Sequence, residues 1–158
     1  MPAGDRPRTV LSVDLDRKDL MNLSRQTVLG AGIAAAALTA AALTVANFVK
    51  TEPGSNGGAP EYAVTLAVSL LVALALFGWA IPRIARPAHT GLVVGVIALL
   101  SVAAFWTGLP YVLGPAAIVL GLRGRARAET RTPATISVVL GTLATAGAIA
   151  AVVLDLAL

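Results

Sequence analysis

The chain has 158 residues, 57% of them hydrophobic and only 13% charged, with a net charge of +4 and no cysteine. A soluble domain averages roughly 45–50% apolar and about 25% charged residues, so composition excludes an ordinary soluble fold. The absence of cysteine excludes disulfides, thiolate metal sites, thiol catalysis and S-palmitoylation.

Residues 1–27 read as a cytoplasmic N-terminal arm. Its opening, MPAGDRPRT, is polar and reads as disordered. Leu11, Val13 and Leu15 then alternate with Ser12, Asp14 and Asp16, the pattern of an extended stretch. Asp16, with Asp19 three residues on, suits the cap of a short interfacial helix carrying Leu20, Met21 and Leu23. A polar arm without regular structure is the other reading. The first membrane span is expected over residues 28–49. A signal-peptide core is roughly 7–15 residues, and this apolar block is longer, so it reads as a retained helix. Residues 50–60, KTEPGSNGGAP, are a loop. A second span is expected over 61–81, with Pro82 and Pro87 marking its exit. A last span is expected over 133–156, with Pro133 near its first turn.

Between the last two spans, Gly91–Leu122 runs for 32 residues without a charge. One crossing takes roughly 20 helical residues, so the run is long for one crossing and short for two. The twelve Lys and Arg residues decide between them. Five precede the first span and Lys50 stands in the first loop. Arg83 and Arg86 lie in the second loop, while Arg123, Arg125, Arg127 and Arg131 follow the run. Basic residues collect in cytoplasmic loops. Two crossings leave only Lys50 outside, whereas one crossing would export four arginines. A hairpin also places Phe105, Trp106 and Tyr111 at the outer interface, level with Phe48 and Tyr62, where aromatic rings prefer to lie. Gly108 suits the end of one helix and Pro110 the start of the next. Spans are therefore expected over 88–107 and 110–124, the second short and interrupted by Pro115. The expected fold is all-α: a polytopic integral membrane protein of about five transmembrane helices, the third and fourth forming a short hairpin. No soluble domain is expected, and the N-terminus is cytoplasmic and the C-terminus outside.

Catalysis or ion transport within a bilayer needs ionisable groups facing the protein interior, and no span carries one near its centre. His89 has no carboxylate near it in sequence, Asp155 falls in the last turn of the last span, and Glu129 offsets charge among the arginines. No catalytic, cofactor-binding or metal-ligating constellation is present, and an enzyme is not expected. Arg123, Arg125, Arg127 and Arg131 are candidates for contact with anionic lipid head groups or a partner. The basic residues adjoin apolar blocks, which points to the lipid bilayer and not to nucleic acid. Gly91 and Gly95 form a GxxxG pair. Gly32 and Ala36 in the first span, and Gly141 and Gly147 in the last, extend the small-residue pattern that lets helices approach closely. These faces pack the chain's own helices, or else meet another membrane protein or a second copy.

The segments GLVVGVIALL, TGLP, GPAAIVLGLRGR and ISVVLGTLATAG make a series. An apolar helix, a Gly/Pro break, a second apolar run closing in Gly and Arg, and a small-residue final helix follow one another. Over residues 90–158 this series resembles a family of small uncharacterised bacterial multi-pass membrane proteins. The resemblance implies membrane helices and no catalytic residues. Ten arginines against two lysines, with abundant alanine, suggest a GC-rich bacterial genome and hence a bacterial plasma membrane. The expected role is a structural or accessory component of a membrane assembly. The alternative is a small transporter or channel subunit, which would need a polar face, and only Asn47 and scattered hydroxyls are on offer.

Overall fold

The structure, a computed structural model, describes residues 9–48, 59–125 and 128–157, with side chains for 26–45, 60, 62–125 and 129–157. Residues 1–8, most of the 50–60 loop, Arg127, and the side chains of Asn47 and Phe48 lie outside the described residues.

Apolar blocks leave their backbone amides no partner but one another, and an α-helix is how one segment satisfies all of them. Among the described residues, five main helices result. Helix α1 is Thr9–Phe48, α2 begins as Ala59–Leu74, α3 as Pro87–Ser101, α4 is Leu109–Gly124 and α5 is Arg131–Ala157. Among the described residues, four stretches are long and apolar enough to cross a membrane: Gln26–Val45, Tyr62–Arg83, Pro87–Thr107 and Arg131–Ala157. Helix α4 is apolar but shorter. The surface is apolar too, with Ile33, Leu74 and Leu100 each about 70% exposed. Such side chains would be a liability in water and are ordinary against lipid. The protein is an all-α polytopic membrane protein.

Leu11 to Asp16, whose alternation suggests an extended segment, belongs to α1 instead. A lone extended segment would leave its N–H and C=O groups unpaired, whereas the helix pairs them locally.

Helix α2 passes Pro82 before it ends. Proline lacks an N–H and its ring collides with the carbonyl four residues back. The chain widens into a π-helical segment, Ala75–Ala80, just ahead of it, before the last turn Ile81–Arg83. There the Ile81 N–H donates to the Leu76 carbonyl, five residues back. The Arg83 guanidinium then donates to the Trp79 carbonyl at 3.0 Å and lies 5.1 Å from the Trp79 ring centroid.

The Gly91–Leu122 run is folded as a hairpin. Helix α3 tightens into a 3-10 segment, Val102–Thr107, breaks at Ala104 (φ −122°, ψ 49°) and turns at Gly108 (φ 78°). Gly108 holds a left-handed conformation that a side chain would strain. Pro110 sits in the first turn of α4.

Helix α4 is the centre of the bundle. It packs against each of the other four helices, and ten of its 16 residues are buried. Its length is about 24 Å, below the ~30 Å of a hydrocarbon core. Because its neighbours screen it from lipid, that shortfall exposes little of its backbone to hydrocarbon. Pro115 lies inside it and the helix continues past it.

Tyr111 does not face outward: it is fully buried within the bundle, with its hydroxyl donating to the Ala148 carbonyl of α5 at 3.0 Å. The hairpin turn is not level with Tyr62 either. The Ser69 hydroxyl donates to the Thr107 carbonyl at 3.3 Å, and Ser69 lies seven residues past Tyr62, about 10 Å along α2. The turn is therefore recessed and meets its own polar needs. Gly108 N–H donates to the Phe105 carbonyl, the Thr107 hydroxyl donates to the Ala104 carbonyl at 2.8 Å, and Leu109 N–H donates to the Thr107 hydroxyl.

Candidate functional site

The small residues place the helices before any site is formed. A Cβ on Gly91 would lie 2.5 Å from the Ser137 hydroxyl and 2.9 Å from Leu120 Cβ, so α3, α4 and α5 meet there. Ser137 completes the junction by donating to the Ala117 carbonyl at 2.7 Å. Gly95 faces Leu140 in the same α3–α5 contact, and Gly147 meets Val102 at ordinary van der Waals distance. Gly32 abuts Phe77 of α2, with 2.8 Å from its notional Cβ to Phe77 Cβ. Gly32 and half-buried Ala36 line an open apolar groove of about 330 Å³ between α1 and α2, against Leu70 and Leu74.

The α4–α5 seam was not among the expected faces, apart from Gly141. Gly114 and Gly121 of α4 face Gly141 and Ala134 of α5, where a Cβ on Gly114 would lie 3.0 Å from the Gly141 carbonyl oxygen. These residues recur every seven positions (114 and 121; 134, 141 and 148), the spacing of helices crossing at a shallow angle. A search for residues four apart passes over them.

Polar chemistry gathers at the end of the bundle that carries Arg83, Arg86 and Arg123. The chain reverses through Ile84–Arg86, and α3 starts at Pro87 with its first bond from Thr90 N–H to the Arg86 carbonyl. Helix α4 ends beside it. The Arg123 guanidinium is half-buried and donates to the Ile81 carbonyl of α2 at 2.5 Å. Gly124 lies directly against the start of α3, where a Cβ would sit 2.7 Å from Ala88 Cβ and 2.9 Å from its nitrogen. The Thr130 hydroxyl closes the end of α4 by donating to the Gly124 carbonyl at 2.8 Å.

These elements line an open cleft of about 450 Å³, with Arg86, His89 and Glu129 exposed and Arg123 and Thr130 half-buried along it. Of the four expected contact arginines, Arg123 lines it, Arg125 and Arg131 are exposed outside its lining, and Arg127 is not described. Sequence separation hid the rest. Glu129 stands forty residues from His89, yet both line this cleft, so the histidine does have a carboxylate in its surroundings. Arg86 and His89 make no side-chain hydrogen bond or ion pair among the described residues. Asp155 is half-buried near the end of α5 and takes part in an interaction of its own.

Two guanidinium groups, an imidazole and a helix N-terminus make the cleft a place for an anion. The single carboxylate limits how much negative charge it accepts. No family model, curated protein or solved structure matches the chain.

Proposed function

We infer that this small membrane protein is a structural or accessory component of a bacterial plasma-membrane assembly, acting through helix packing and lipid contact. In this reading the chain crosses five times, with the N-terminus and the arginine end cytoplasmic and the C-terminus outside. The observation that carries it is the use made of polar groups inside the bundle. Buried Thr39, Ser69, Ser137 and Tyr111 each donate to a backbone carbonyl, of Ala35, Thr107, Ala117 and Ala148 respectively. Thr39 bonds back within α1, while the other three tie helices and turns together, at about 0.6 kcal/mol per interhelical bond. The broad apolar faces of α1, α2 and α5 remain for lipid or for another membrane protein.

Affinity purification in mild detergent at native expression level tests the role. The expected outcome is reproducible recovery with one or a few membrane partners in fixed ratio. Consistent recovery as a lone monomer overturns it.

A further inference from the structure

Orientation needs only that arginines be present in a loop, whereas this structure organises two of them around a cavity. Arg86 comes from the α2–α3 link and Arg123 from the last turn of α4, thirty-seven positions away. Both line the same 450 Å³ cleft. That volume is within the ~300–1,000 Å³ range of small-ligand sites. Arg123 is held by the Ile81 carbonyl through one nitrogen, and a guanidinium has five N–H donors. Arg86 has no side-chain partner among the described residues. The start of α3 adds the backbone N–H groups of Ala88 and His89, Pro87 having none, because N–H groups in a first helical turn have no partner within the helix. Gly124 keeps the end of α4 against that start, since a side chain there would strike Ala88.

We propose that this cleft binds one phosphate group carrying a single negative charge, of the kind found in a phospholipid head group. The charge balance selects it. Among the described lining residues, and apart from His89, two guanidinium charges against the Glu129 carboxylate leave one positive charge, which one phosphodiester matches and a polyphosphate exceeds. A bidentate guanidinium suits phosphate oxygens better than a diffuse surface charge does. The site deepens the proposed function by giving lipid contact a defined place. Its occupancy is read separately from partner recovery.

The test uses the full-length protein in a maltoside detergent, which carries no phosphate, with native mass spectrometry counting bound molecules. Phosphatidylglycerol, phosphatidylethanolamine, diacylglycerol and inorganic phosphate are titrated in turn. One tightly retained phospholipid is expected, with no comparable retention of diacylglycerol. Arg86→Gln should weaken retention about fivefold, the usual effect of one arginine near a head group. The Arg125→Gln/Arg131→Gln double variant, outside the cleft, should change it less than twofold. Arg86 bonds to no described side chain, so its variant keeps the thermal unfolding of the parent. Arg123→Lys, which keeps the charge, should retain more binding than Arg123→Gln. Phosphate competing with the lipid at millimolar concentration supports the phosphate chemistry and assigns the source to a free anion, while lipid resistant to it assigns the head group. Equal weakening by the Arg125/Arg131 double variant, or equal retention of diacylglycerol, overturns the proposal.

Discussion

Gly114 and Gly141 show how little room single residues leave in this bundle. A Cβ on Gly141 would lie 2.5 Å from the Gly114 carbonyl oxygen and 2.9 Å from Ile118, both fixed parts of α4. Gly147, two turns along α5, would meet only Val102 at 3.5 Å. The same substitution should therefore have opposite signs at the two positions. Gly→Ala inside an exposed helix stabilises by about 1 kcal/mol through propensity, while overpacking costs about 1–3 kcal/mol. Gly141→Ala is expected to destabilise by about 1–3 kcal/mol and Gly147→Ala to be neutral or stabilising. Reversible unfolding in mixed micelles, by titration with a denaturing detergent, reads both. The residue types at these positions were legible, since small side chains in apolar helices mark close approach. Which of them carry the contact was not. The chain is rich in Ala and Gly, so one face looks like another until a partner helix selects it.

Among the elements, the α3–α4 hairpin was the most legible. Gly108 and Pro110 mark its turn in the sequence, and the structure ends α3 at Thr107 and begins α4 at Leu109. The backbone at Gly108, at φ 78°, costs an L-residue about 1–2 kcal/mol, and a Cβ there would lie 2.6 Å from the Ser69 hydroxyl. Gly108→Ala is expected to lower stability by at least about 1–2 kcal/mol. Replacing Ser69 as well relieves the collision but leaves the backbone strain. Measured by the same unfolding titration, a double variant as stable as the Ser69 variant alone would contradict this account. Less legible was the widening of α2 around Pro82. A proline in sequence announces the end of a helix, but here the π-helical segment Ala75–Ala80 absorbs it and the helix reaches Arg83. The N-terminal part of α1 is a similar case: a two-residue alternation there is outweighed by backbone bonding that a solitary extended segment cannot supply.

At the scale of the whole molecule, three helices converge at one end of the bundle. The ends of α2, α3 and α4 meet at the arginine end through the Arg123–Ile81 hydrogen bond and the Gly124–Ala88 contact. The proposed topology predicts the behaviour of single cysteines, which need no background removed because the chain has none. With an impermeant thiol reagent on whole cells, Ser55→Cys and Leu158→Cys should label and Ala128→Cys should be protected until the cells are opened. Labelling of Ala128→Cys in intact cells would mean an even number of crossings between Ser55 and Ala128 and would refute the five-span threading. The sequence by itself determined the class of the protein, its apolar blocks and the place of the hairpin turn. Those depend on hydropathy, charge and turn chemistry within a few neighbouring residues. Only the tertiary structure decided that the shortest helix stands at the centre, that Tyr111 is buried, and that Arg86, His89, Arg123 and Glu129 line one cleft. Those outcomes depend on which faces meet across the bundle. In a chain of near-equivalent small and aliphatic side chains, that choice is made by the packing of all five helices together.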